Sequence, residues 1–172
     1  MPYPKGVRNK QTSDLVEVID GKDASLVAAH MATDAGSNAR GNSGVILAEF
    51  LRGVAEDAPR EFTVSTLHSA LQSAAQFARL SVASPSEGTI LTVADMLSSV
   101  NEAQNLAYYA QNLSQVARAA VQRSTSQLPE LRAAGVVDAG ALALSYLFDA
   151  IHEVVNGVKV KSIELLQTTC DM

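Results

Sequence analysis

Apolar residues recur at intervals of three and four along most of this chain, and no stretch keeps for long the strict alternation of a half-buried strand. The pattern predicts an all-α fold. After an irregular opening, a short segment around Ser13 to Ile19 leads into the turn pair Asp20-Gly21. A second run, from Asp23 to about Ala35, carries Leu26, Val27, His30 and Met31, and Gly36 is placed to cap its C-terminus. From Ser43 to about Val54, the rows Ile46, Phe50, Val54 and Leu47, Leu51 predict a wide buried face, with Asn42 or Ser43 as N-cap and Asp57-Ala-Pro59 as its end.

Farther along, Thr63 to Val82 places Val64, Leu67, Leu71, Ala74, Ala78 and Val82 on one stripe, and Pro85 closes it. Gly88 to Gln104 repeats the pattern through Ile90, Val93, Ala94, Leu97 and Val100. A long helix is expected from about Leu106 to Ser126, with Leu106, Tyr109, Leu113, Val116, Ala120 and Val121 aligned. Pro129 and Gly135 bound a short link before the last strong helix, Ala139 to Val155, which runs through Leu144, Leu147, Ile151 and Val154. Connections this short make neighbouring helices antiparallel, so an antiparallel bundle or helical barrel is the simplest architecture. Alanines on buried faces, such as Ala70, Ala74 and Ala78, allow close helix approach. The patterning weakens from Val158, so the expected organisation is one domain over residues 1–157 with 158–172 as a C-terminal tail or linker.

Composition narrows the function classes. A chain of 172 residues with 47% hydrophobic and 18% charged side chains is long enough for one domain with a full core and is not a disordered sequence. Thirteen basic against eighteen acidic residues give a net charge of -5 without a basic cluster, so nucleic acid is not an expected partner. No apolar run reaches membrane-spanning length, and the opening Met1-Pro-Tyr-Pro-Lys-Gly lacks the apolar core of a signal peptide. The single cysteine, Cys170, has no intrachain partner, and a cytoplasmic location is expected. His30 reads as a core or boundary histidine. His68 and His152 stand singly without ligand spacing, and no metal site is expected. Asp95, Glu49 and Glu87 read as solvated or capping carboxylates, and no Ser/His/Asp arrangement supports acyl transfer. No catalytic residue is assigned.

Chemistry concentrates in three glycine-containing bends. Gly36-Ser-Asn-Ala-Arg-Gly-Asn-Ser-Gly44 lies between two helices, where glycines permit close backbone approach and the following helix offers free N–H groups and the positive end of its dipole. An anion cradle and a ligand-free turn both fit these residues. The Walker pattern is not met, because Asn42 stands where its lysine belongs and a helix precedes the bend in place of a strand. Ser84-Pro-Ser-Glu-Gly-Thr89 and Gly135-Val-Val-Asp-Ala-Gly140 also precede helices, with Thr89 and Asp138 as ordinary helix-start residues.

Taken together, Ala39-Arg-Gly-Asn-Ser-Gly-Val-Ile-Leu47 with Phe50-Leu-Arg-Gly53, then Glu87-Gly-Thr-Ile-Leu-Thr-Val93, then Gly135-Val-Val-Asp-Ala-Gly140 resemble, in order, the DhaL-type nucleotide-binding domain of dihydroxyacetone (glycerone) kinases. The resemblance runs from about Pro2 to Val155 and is closer to the N-terminal domain of fatty-acid kinases. It implies a barrel of antiparallel helices that holds ATP or ADP in the loops at one end. Asn42, Ser43 and Gly44 would meet the phosphates, with Gly88, Thr89, Asp138, Ala139 and Gly140 flanking the nucleotide. The implied activity is phosphoryl transfer from ATP to a small acceptor presented by a partner protein or domain.

The family holds magnesium with a Pro-x-Pro-Asp-Gly-Asp-Thr-Gly loop after its first helix. Here Pro2-Tyr-Pro-Lys5-Gly-Val7 aligns with that loop, so Lys5 and Val7 stand where the aspartates would be and neither binds Mg2+. The family's first helix, upstream of that loop, has no expected counterpart in the sequence as given. This departure opens an alternative reading, a non-catalytic oligomeric binding or scaffold protein that keeps the kinase fold and covers the open face as a homo-oligomer.

Overall fold

The computed structural model describes residues 23–158. Seven α-helices and no strands occur among them, as the periodicity predicts. They are α1 (Ala24–Asn38), α2 (Gly41–Glu56), α3 (Val64–Leu80), α4 (Ile90–Ser98), α5 (Leu106–Gln127), α6 (Pro129–Ala134) and α7 (Ala139–Val155). The segment Ser13 to Ile19, the residues Lys5 and Val7, and the tail beyond Val158 lie outside the described residues.

Local chemistry sets most helix starts. Thr63 and Thr66 form a reciprocal capping box on α3, Thr89 caps α4, Asn105 caps α5 and Asp138 caps α7. Three expected boundaries shift. Gly36 does not stop α1, which runs on to Asn38, where the Ser37 hydroxyl and Asn38 amide donate to the carbonyls of Thr33 and Asp34 at 2.9 Å. The helix expected to reach Gln104 ends at Ser98, because the Ser98 and Ser99 hydroxyls both bond back to the Asp95 carbonyl at 2.8 and 2.9 Å. The link between Pro129 and Gly135 is itself a short helix, started by proline at its first turn and ended by Gly135 at φ 67°.

The core is built from small and aliphatic side chains, with Ala74, Ala78, Leu97, Leu113, Ala117 and Leu144 all without exposed surface. Phe50 and Phe148 meet edge to face with centroids 6.4 Å apart and join α2 to α7. Where α2 crosses α3 the backbones nearly touch, since a Cβ on Gly53 would fall 2.5 Å from Ala74 Cα. Helix α2 packs on α1 and α3, α5 on α7, and α4 against α3, α5 and α7. The weakest amphipathic helix is α1, which buries only Ala28 fully. His30 is therefore exposed, where a core or boundary position was expected, as are Leu26 and Met31. The start of α1 is fastened by Ala24 N–H donating to Arg60 O at 2.8 Å and by the Arg60–Asp23 ion pair at 3.0 Å. Asp23 titrates below the usual carboxylate range, chiefly because the Ser25 hydroxyl donates to it and also because of Arg60.

Candidate functional site

The bend at residues 36–44 is shorter than the sequence suggests. Only Ala39 and Arg40 leave the helical conformation, and Gly41, at φ 65°, already opens α2. The N-cap is Arg40, in place of Asn42 or Ser43, and it puts no side-chain acceptor on the first-turn N–H groups. Asn42, Ser43 and Gly44 are thus the second to fourth residues of α2, where helical N–H groups lack intrahelical acceptors. The Asn42 and Ser43 side chains are exposed. A Cβ on Gly44 would sit 3.5 Å from the Ala39 carbonyl carbon, so the first turn lies against the link before it.

At the start of α7, the Asp138 carboxylate accepts from Ala141 N–H at 2.7 Å, and Asp138 N–H donates to Ser124 Oγ at 3.1 Å. The same Ser124 hydroxyl donates to Val121 O at 2.6 Å and is fully buried, which fixes the α7 entrance to the end of α5. The Thr125 hydroxyl donates to Val136 O at 3.0 Å and holds the preceding loop. Gly140 is buried in the first turn, and a Cβ there would lie 3.0 Å from Ser43 Oγ and 3.3 Å from Asp138 Oδ1. Ser43, Asp138 and Gly140, nearly a hundred residues apart in sequence, therefore meet across two helix N-termini. Ala139 lies exposed beside them.

The third bend joins the same end through α5. Gly88 is buried at φ 80°, and a Cβ on it would come 2.8 Å from Gln127 Cβ and 3.2 Å from Leu128 Cγ. Gly88 N–H donates to the Thr92 hydroxyl at 2.9 Å, and that hydroxyl donates to Glu87 Oε2 at 2.8 Å. Thr89 accepts from Leu91 N–H at 3.3 Å and donates to Ser86 O at 2.8 Å. Arg79 ties this loop to α3 by pairing with Glu87 at 3.4 Å and with Asp95. The Thr92 hydroxyl first, and Arg79 second, hold Glu87 below the usual carboxylate range, while Asp95 and then Glu87 push Arg79 upward. The N-termini of α2, α4 and α7 and the C-terminus of α5 thus gather at one pole, which brings three positive dipole ends together.

Sequence reasoning missed Ser124, whose signal was a polar residue four places after Ala120 on an otherwise apolar stripe. It also took Asp95 and Glu87 as single carboxylates, and they share Arg79. Glu49 pairs with Arg52, and His68 Nδ1 lies 3.0 Å from the Tyr109 hydroxyl. Among the described residues, no group of three or more His, Cys, Asp or Glu side chains could hold a metal ion.

A family model described as the DAK2 domain matches residues 9–153. The chain is 31% identical over 165 residues to Protein YloV of Bacillus subtilis, an alignment that covers 91% of this chain and 30% of that protein. It is 30% identical over 131 residues to an uncharacterized protein of Staphylococcus epidermidis, covering 72% and 24%. It is 29% identical over 148 residues to an uncharacterized protein of Mycoplasma pneumoniae, covering 76% and 26%. The chain spans less than a third of the length of these curated relatives. No described helix is long and apolar enough to cross a membrane.

Proposed function

The chain belongs to the DAK2 domain family, and from that premise we propose that it holds the phosphates of ATP or ADP at the pole where α2, α4 and α7 begin. The observation that carries this reading is the close approach of Ser43 to Gly140, in the Asp138-capped first turn of α7, across two helix N-termini. Backbone N–H groups of Asn42, Ser43 and Gly44 donate to phosphate oxygens with the α2 dipole behind them, and a small residue at 140 lets the two helix ends approach the same group. Gly88-Thr89 and Asp138-Ala-Gly140 wall the nucleotide. Asp138 contributes by fixing the first turn of α7, since one carboxylate oxygen is already engaged by Ala141 N–H.

In the active form of this reading, the domain passes a phosphoryl group from ATP to a small acceptor presented by a partner protein or domain, as in dihydroxyacetone kinases and in the fatty-acid-kinase branch that the motifs favour. Magnesium supplies charge neutralisation in such transfers. In the sequence, Lys5 and Val7 stand where the family's magnesium-binding aspartates would be, and that supports a second reading, a non-catalytic oligomeric binding or scaffold domain that keeps the kinase fold and the nucleotide and has lost transfer.

Calorimetry of the full chain with ATP, with and without magnesium, separates the two. Both readings predict ATP binding, weakened about ten-fold by Gly140→Ala, a loss of about 1.4 kcal/mol. Tighter binding with magnesium supports transfer, and equal binding supports the second reading. No binding under either condition contradicts both.

A further inference from the structure

The pole opposite the proposed phosphate site carries a groove of about 420 Å³ that is lined by apolar side chains alone. Its walls are Val27 and Met31 of α1 and Ile151 and Val155 of α7, and its floor includes Phe50 and Leu51 of α2. It lies far from the converged helix N-termini. Ile151 is thirteen residues along α7 from Asp138, about 20 Å at helical rise. Met31, on the groove wall, keeps 36% of its surface exposed. Leaving this much hydrocarbon in water is costly, at about 25 cal/mol for each Å², so an occupant is called for.

We infer that this groove seats the chain's own segment Leu15–Ile19, which lies outside the described residues. Four observations select that occupant. The segment supplies four apolar side chains, Leu15, Val16, Val18 and Ile19, at spacings that a helix places on one face. It is joined through Asp20-Gly21-Lys22 to Asp23, the cap of α1, and Ala24, the next residue, lines the groove. A link that short sets a segment antiparallel beside the helix it precedes. One flank of α1 is taken by α2, and the groove toward α7 is the other. Finally, the family match begins at residue 9 and so includes the segment in the domain. The inference does not depend on the nucleotide reading, since the two sites are at opposite ends.

Cysteine cross-linking in the full chain tests it. With Cys170→Ser as background, Val155→Cys is combined in turn with Leu15→Cys, Val16→Cys, Val18→Cys and Ile19→Cys and treated with a short bifunctional thiol reagent. The expected result is an intramolecular cross-link, at helical spacing among the four, formed at least about ten-fold faster than with Leu80→Cys replacing Val155→Cys, because proximity raises effective concentration. Rates equal to the Leu80→Cys control overturn the inference. So does a cross-link at dimer mass, which would give the groove to a second copy, or a lipid found by native mass spectrometry bound to the full chain. As a second readout, Ile19→Asp should lower Tm by about 5 °C or more, while Leu26→Asp at an exposed position should change it little. Equal effects of the two substitutions also overturn it.

Discussion

Tyr109 has no exposed surface, yet its hydroxyl lies 3.0 Å from His68 Nδ1 and donates to Val100 O at 3.4 Å. Burial first, and the nearby Glu102 second, push its phenol up to about 12 from a reference of 10.0. The folded state therefore favours the protonated form. Its contribution to stability is complete below pH 10 and is lost as pH rises from there through about 12. Ultraviolet titration of the wild type minus Tyr109→Phe should show this phenol ionising near pH 12, and a midpoint near 10 would contradict its burial. The sequence placed Tyr109 on the buried stripe of the fifth helix but gave no sign of the His68 contact, because the two residues lie on different helices. Gly140 was legible only as a glycine in a bend. That it must be small because Ser43 stands 3.0 Å from its missing Cβ is a fact of tertiary packing.

Among the helices, starts were easier to read than stops. Thr63, Thr89 and Asp138 are short polar side chains immediately ahead of apolar periodicity, and each caps the helix that follows. The predicted span Ala139 to Val155 is the observed one. The misplaced ends have local causes that periodicity does not register: Ser98 and Ser99 capture the Asp95 carbonyl, and Gly36 continues a helix because nothing there requires a positive φ. At the entrance of α7 the cap itself is testable. Asp138→Ala removes the acceptor of Ala141 N–H and should cost about 1 kcal/mol, whereas Asp138→Asn keeps an acceptor and should cost only a few tenths. Thermal unfolding of both variants checks this, and equal losses would mean that the charge, and not the cap, matters at this position.

Across the whole molecule, two poles divide the chemistry. At one, three helix N-termini and the buried Ser124 bring bends from three parts of the chain together; at the other, an apolar groove opens between α1 and α7. The first pole was implied by the resemblance that the three bends carry together, which has the nucleotide held in loops at one end of an antiparallel set of helices. The groove was not legible, because it arises from what α1 leaves uncovered and from no pattern within any helix. The central claim is that nucleotide phosphates sit at the first pole, and amide chemical shifts of the 15N-labelled chain titrated with ATP test it most directly. The account predicts concerted shifts of Asn42 to Gly44, Gly88 and Thr89, and Ala139 to Ala141. Shifts confined to the groove around Ile151, or no shifts at saturating ATP, would contradict it.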